Sequence, residues 1–112
     1  MLSPAEQDRT RQELERELTR SGWTAERLAA ALEVPVDRVH AALDVCAARP
    51  ADVWMVRDLL AVIVRGDGGS PGPFTCLSDA ARASAESWFT LRPESAITDA
   101  VRRALGAGVQ DA

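Results

Sequence analysis

The spacing of apolar residues along the chain predicts a mostly helical protein. Ser3-Pro4-Ala5-Glu6 has the order of a capping box with proline at the first helical position, so a helix is expected from there to about Ser21. Gly22 is expected to end it in a left-handed conformation. The apolar face of this helix is narrow. We therefore expect a polar helix whose acidic residues form a solvated surface paired with nearby arginines.

Two short helices joined by a tight turn are predicted next. Thr24 caps a helix from Ala25 to Leu32, and Pro35 opens a third helix after a turn at Glu33 and Val34. The small and apolar positions that such a crossing needs are filled by Leu28, Ala29, Leu32, Val34 and Val39. The turn position with left-handed backbone carries Glu33 instead of glycine, at a cost of about 1 kcal/mol. We predict a helix-turn-helix region within residues 3–49.

A fourth helix, expected over residues 50–65, is apolar on more than one side. A helix of this kind lies at the centre of a domain or at an oligomer interface. The last predicted helix, Glu94 to Leu105, carries a stripe of Ile97, Val101 and Leu105. We expect these two helices to form the contact of a two-fold homodimer. The alternative is that the stripe folds back on the fourth helix within a monomer.

The remaining segments are short. Residues 66–73 contain four glycines and two prolines, which predicts a flexible loop. The C-terminal segment, residues 74–105, begins with a short apolar run at Phe74–Leu77 and a helix at Asp79–Ser87. A second apolar run, Trp88–Leu91, is either a helix end or a strand. With a frayed tail at 106–112, the prediction is one all-α domain over 1–112, with at most two very short strands.

Length, charge and hydropathy limit the classes of function that this chain can have. The 112 residues suit one domain, and the net charge of −4 argues against a strong, sequence-independent grip on nucleic acid. Binding through a small local patch stays open. The N-terminus has no apolar signal segment, and the longest apolar stretch is interrupted by Arg57 and Asp58. We therefore expect a cytoplasmic protein that is not inserted in a membrane.

The chain offers little for catalysis. His40 is the single histidine, and no serine lies in a nucleophile motif. Cys46 and Cys76 lie far apart and lack the spacing of metal ligands. We expect no enzyme activity, no metal and no cofactor.

If the third helix reads DNA, its exposed N-terminal side chains should reach base edges. The candidate DNA contacts are Arg27, Val36, Asp37, Arg38, His40 and Ala41. On that helix only Arg38 makes the strong bidentate pairs with bases, and Asp37 would repel phosphate. The leading hypothesis is a DNA-binding transcriptional regulator, and the alternative is a protein–protein interaction module with the same fold.

Four aromatic residues form a separate candidate site. The interpretation that the pattern favours is a satellite core in which Trp54, Phe74, Trp88 and Phe89 dock the C-terminal segment onto the fourth helix. The alternative is that they line a small apolar ligand pocket, as in a one-component sensor.

Several runs together resemble one family. These are Gly22–Leu43, Val53–Leu60, Pro73–Leu77 and Trp88–Leu91. They look like the small bacterial proteins catalogued as domain of unknown function 2316, and the resemblance covers about residues 5 to 91. It implies a bacterial protein with a helix-turn-helix-like fold, and it carries no established activity or site residues.

Overall fold

The computed structural model describes residues 2–46 and 48–110, with side chains described up to residue 106. This part of the chain is all-helical, as predicted, and it contains no strand. Its helices are α1 (Pro4–Ser21), α2 (Ala25–Leu32), α3 (Val36–Asp44), α4 (Pro50–Gly66), α5 (Asp79–Trp88) and α6 (Glu94–Gln110).

The first helix boundaries follow the predicted caps. The Ser3 hydroxyl accepts from the Glu6 backbone N–H, and the Glu6 carboxylate accepts from the Ser3 N–H. Gly22 ends α1 with φ of 73°. Thr24 then caps α2 by accepting from the Arg27 backbone N–H. These local signals are confirmed.

The turn between α2 and α3 also has the predicted backbone. Glu33 lies in the left-handed region with φ of 58° and ψ of 46°, and its N–H donates to α2 carbonyls. Leu28, Leu32 and Val39 are buried on the side where α2 packs against α3. The two helices thus form one unit that exposes the opposite side of α3.

The centre of the molecule is α4. It packs against α1, α3 and α6, so its apolar surface is covered by other parts of the same chain. Ile97 of α6 is fully buried and Val101 nearly so, whereas Leu105 is half exposed. The structure therefore follows the alternative account, in which the stripe folds back on α4. Within the described chain, α4 and α6 contact each other, and the homodimer stays a prediction.

The structure corrects the predicted end of the C-terminal helix. Gly106 does not end α6, which continues to Gln110, because one glycine weakens a helix by only about 1 kcal/mol. The tail predicted to fray is thus helical through residue 110, and residues 111–112 lie outside the described part. The run Trp88–Leu91, left open between a helix end and a strand, begins at the last residue of α5, and the described residues contain no strand. The run Phe74–Leu77 directly follows Pro73 and is irregular.

The loop before Phe74 is fixed at its end by α1. Arg16 donates to the Pro73 carbonyl (2.9 Å), and Arg20 donates to the Gly72 carbonyl (3.2 Å). Glu17 accepts from the Gly72 N–H (3.0 Å), and Glu13 accepts from the Thr75 N–H (3.0 Å). The end of the predicted flexible loop is therefore attached to the helix.

These contacts correct the prediction of a solvated acidic surface on α1. Glu17 is fully buried, between Arg16 and Arg20. Burial alone raises the pKa of Glu17, but the hydrogen bonds from Gly72, Arg16 and Arg20 outweigh it and hold the pKa below its ordinary value. The carboxylate is thus a charged internal anchor for the loop.

Candidate functional site

The outer side of α3 presents the candidate DNA contacts. Val39, Ala42 and Leu43 face the core, while Asp37, Arg38 and His40 are exposed. Val36 and Ala41 are half-buried at the edges of that surface, and Arg27 is exposed on α2. All six candidates are therefore accessible, as base or phosphate contacts must be.

Arg38 is held in place by Asp52, in the first turn of α4. The Arg38 Nε donates to Asp52 Oδ2 (3.2 Å) and Nη2 donates to Oδ1 (2.6 Å). The Arg38 side chain is still 43% exposed, whereas that of Asp52 is only 10% exposed. The hydrogen bonds and charge of Asp52 raise the pKa of Arg38 further. The guanidinium is thus fixed on one edge and open on another.

Sequence reasoning missed Asp52 as part of this surface. An acidic residue in the first turn of a helix is explained by the helix dipole alone. Its partner lies 14 residues earlier on another helix. The periodicity of a single helix does not indicate a pair that joins two helices, so this contact becomes visible only when α3 is packed on α4.

Arg27 is positioned by an aromatic ring. Its guanidinium carbon lies 3.9 Å from the centre of the Trp23 ring, which is a cation–π contact. Trp23 itself is 9% exposed. The guanidinium of Arg27 therefore lies against the Trp23 ring while the residue stays exposed.

Acidic groups share the surface of α3. Asp37 and Asp44 are exposed on it. Glu33, at the turn before it, lies 4.0 Å from Arg103 of α6. Negative charges here lower the affinity for phosphate, in line with the net charge of −4.

The four aromatic residues predicted to line an apolar pocket do not come together. Trp54 is 6% exposed and Phe74 is half-buried, but Trp88 is 81% exposed and Phe89 is 40% exposed. Trp88 ends α5, and of the residues that follow it Leu91 packs against the core while Phe89 does not. The predicted pocket is therefore not formed.

Trp54 and Phe74 instead both lie near the guanidinium of Arg57. The guanidinium carbon is 5.6 Å from the centre of the Trp54 ring and 4.8 Å from that of Phe74. The sequence did carry a signal here, because a charged residue in the middle of an apolar helix requires buried partners. Which partners it has depends on the fold.

Arg57 joins α4 to the start of α5. It donates from Nε to the Leu77 carbonyl (3.0 Å), from Nη1 to Asp58 (3.0 Å) and from Nη2 to Asp79 (2.6 Å). Asp58 in turn accepts from Arg82 Nε (3.0 Å). These bonds satisfy two buried charges and attach α5 to the centre of the molecule.

Two further observations concern the described residues alone. They contain no group of three or more His, Cys, Asp or Glu side chains arranged to hold a metal ion. None of their helices combines the length and the apolar character needed to cross a membrane.

A family model matches residues 1–90 of the sequence: DUF2316, described as an uncharacterised protein conserved in bacteria. The chain belongs to this family. Comparisons with curated proteins and with solved structures give no match. In this DUF2316 protein the matched region includes α1 to α5, with the Arg38–Asp52 pair and the Arg57 contacts. Helix α6 follows the matched region.

Proposed function

We propose that this DUF2316 protein is a cytoplasmic, non-enzymatic DNA-binding transcriptional regulator that reads bases with α3. The observation that carries the proposal is the exposed guanidinium of Arg38, held on one edge by Asp52. The α2–α3 unit supports it, because its buried side is closed by Leu28, Leu32 and Val39 while the first turns of α3 stay accessible.

The donors of Arg38 determine what it can bind. A guanidinium has five N–H donors, and Asp52 uses one on Nε and one on Nη2. The remaining donors lie on Nη1 and Nη2, which is the edge that pairs with guanine O6 and N7. Because Asp52 already restricts the side chain, less conformational entropy is lost when a base binds.

The acidic side chains set the expected strength of binding. Asp37 disfavours a nearby phosphate, although a carboxylate can accept a hydrogen bond from the cytosine amino group. Few phosphate contacts are available, so the affinity should be low and its dependence on salt shallow. We expect contacts to bases, more than contacts to the DNA backbone, to determine which DNA sequences this protein prefers.

A protein partner is the second candidate. It is favoured by the exposed carboxylates of Asp37 and Asp44 on the α3 surface and by Trp88, which is 81% exposed. Tryptophan is enriched among the residues that contribute most to protein interfaces. On this account α3 packs against protein, and Arg38 is part of the scaffold.

Selection from a random-sequence DNA duplex library at low salt separates the two. We expect the wild type to enrich a short sequence containing guanine and Arg38→Ala to lose that enrichment. The matched control is Arg65→Ala, which removes the same charge from an exposed position about 20 Å along α4 from Asp52. It should select the same sequence as the wild type.

The selection also has outcomes that contradict the proposal. If the folded wild type enriches nothing, or if Arg38→Ala and Arg65→Ala have the same effect, base reading by Arg38 is wrong and the protein-partner account is favoured. The homodimer predicted from the sequence is tested by the same data. A two-fold repeat in the enriched site indicates two bound copies, and a single half-site indicates one.

A further inference from the structure

A polar cleft lies beside Arg57, and none of the candidate DNA contacts lines it. It consists of two adjoining cavities of about 230 and 170 Å³, which share Arg57, Ala61, Arg65 and Asp79 as lining residues. The larger cavity is closed on one side by an apolar wall of Pro71, Pro73 and Phe74. The cleft therefore offers cationic groups next to an apolar surface.

The floor of the cleft is a buried cation that is already oriented. Arg57 is 6% exposed, and three of its five donors are used by Leu77, Asp58 and Asp79. The rings of Trp54 and Phe74 make cation–π contacts with the same guanidinium. A ligand that reached it would find a rigid, partly desolvated binding partner, which makes a charge-assisted hydrogen bond stronger.

The partner of Arg57 on the solvent side is the carboxylate of Asp79, an exposed residue. The Asp79 side chain is 92% exposed, although its carboxylate accepts from Arg57 Nη2 at 2.6 Å. The hydrogen bond and charge of Arg57 lower the pKa of Asp79, so this carboxylate is an anion at neutral pH. It occupies the position on Arg57 that an external anion would take.

The charges around the cleft support such an exchange. With Asp79 in place, Arg57 and Arg82 face Asp58 and Asp79, while Arg65 lies 3.7 Å from Glu94. If the Asp79 carboxylate moved into solvent, Arg57 would lose one of its two anionic partners. An anion from outside would replace the negative charge that Asp79 provides to Arg57. The Ser78 hydroxyl, which accepts from the Ala81 N–H, still has its own hydrogen to donate to such an anion.

We propose that this cleft binds a small organic anion, a carboxylate or phosphate group on an apolar body, which replaces the Asp79 carboxylate on Arg57. The anionic group binds Arg57 and Arg65, and the apolar body packs on Phe74, Pro71 and Pro73. This site is independent of the proposed DNA contact.

Calorimetric titration with benzoate, phenyl phosphate and the neutral isostere benzamide tests the proposal. We expect saturable binding of at least one anion by the wild type and none of benzamide. Asp79→Asn removes the competing carboxylate, so it should bind the anion about two- to fivefold more tightly, the usual worth of an exposed ion pair. Arg65→Gln should bind it more weakly. Binding of benzoate alone or of phenyl phosphate alone identifies the anionic group.

The control is Asp67→Asn, which removes an exposed carboxylate just after α4 and should leave the affinity unchanged. Amide NMR shifts on titration should concentrate at Ala61, Arg65, Ser78 and Asp79. The proposal is overturned if neither the wild type nor folded Asp79→Asn binds an anion, if benzamide binds equally well, or if the shifts map to another surface.

Discussion

At the scale of single residues, the buried charges depend on partners that are distant in the sequence. Glu17 accepts from the Gly72 N–H, 55 residues away, and Arg57 donates to the Leu77 carbonyl, 20 residues away. A buried charge is tolerated only where such bonds replace water. The pattern of α1 indicates pairing of Glu17 with Arg20 by helical spacing, but not its burial, because nothing local places Gly72 there.

Glu17 should make stability depend on pH. Its pKa in the folded chain lies below the ordinary value of 4.5, so it stabilises the fold fully above that value. This contribution is lost as the pH falls through the lowered pKa. We expect Glu17→Gln to reduce the free energy of unfolding by about 1.5–3 kcal/mol at neutral pH, the worth of hydrogen bonds to a charged group. The deficit should shrink on acidification.

Urea denaturation of both proteins between about pH 3 and pH 7 measures this difference. Glu15→Gln, an exposed position on the same helix, should cost less than about 0.5 kcal/mol at neutral pH. A constant difference between wild type and Glu17→Gln across the range would show that the charge of Glu17 is not the cause.

At the scale of elements, local signals were sufficient where caps and turns define the boundary. Ser3, Gly22, Thr24 and Glu33 have the conformations or hydrogen bonds expected from their types. The end of α6 was not predictable in this way, because Gly106 carries a helix-ending signal that continued helix formation overrides. The caps of α1 and α2 could thus be predicted, whereas one glycine near the end of a helix did not determine where α6 ends.

Substitution of Glu33 tests the turn, because the variant and its control should change the stability of the protein in opposite directions. A non-glycine residue in the left-handed region is strained by about 1 kcal/mol, so Glu33→Gly should stabilise the protein by up to that amount. Ala30→Gly, at an exposed position within α2, should destabilise it by about 1 kcal/mol. Thermal and urea unfolding measure both. Destabilisation by Glu33→Gly would mean that its side chain contributes more than the strain costs.

At the scale of the whole molecule, the apolar character of α4 had two explanations that the sequence could not separate. A helix that is apolar on several sides is covered either by its own chain or by a second copy, and both leave the same pattern. The structure covers α4 with α1, α3 and α6. The same ambiguity affected the aromatic residues, since the pattern did not show that Trp54 is buried while Trp88 is exposed.

The covering of α4 by α6 leads to a prediction about the intact chain. A protein truncated after Arg92 lacks Ile97, Ala100 and Val101, which are buried, so the side of α4 that packs on α6 becomes exposed. A large exposed apolar surface promotes association. We expect light scattering to give a higher mass per particle for the truncated chain than for the intact one, together with a lower melting temperature. Equal mass and stability for the truncated and intact chains would show that α6 is not part of the core, and the apolar sides of α4 would then need a partner from outside the chain.

In the intact chain, Ile97→Asp should reduce the free energy of unfolding by several kcal/mol because it buries an unpaired carboxylate. Leu105→Asp, at a half-exposed position on the same stripe, should reduce it far less.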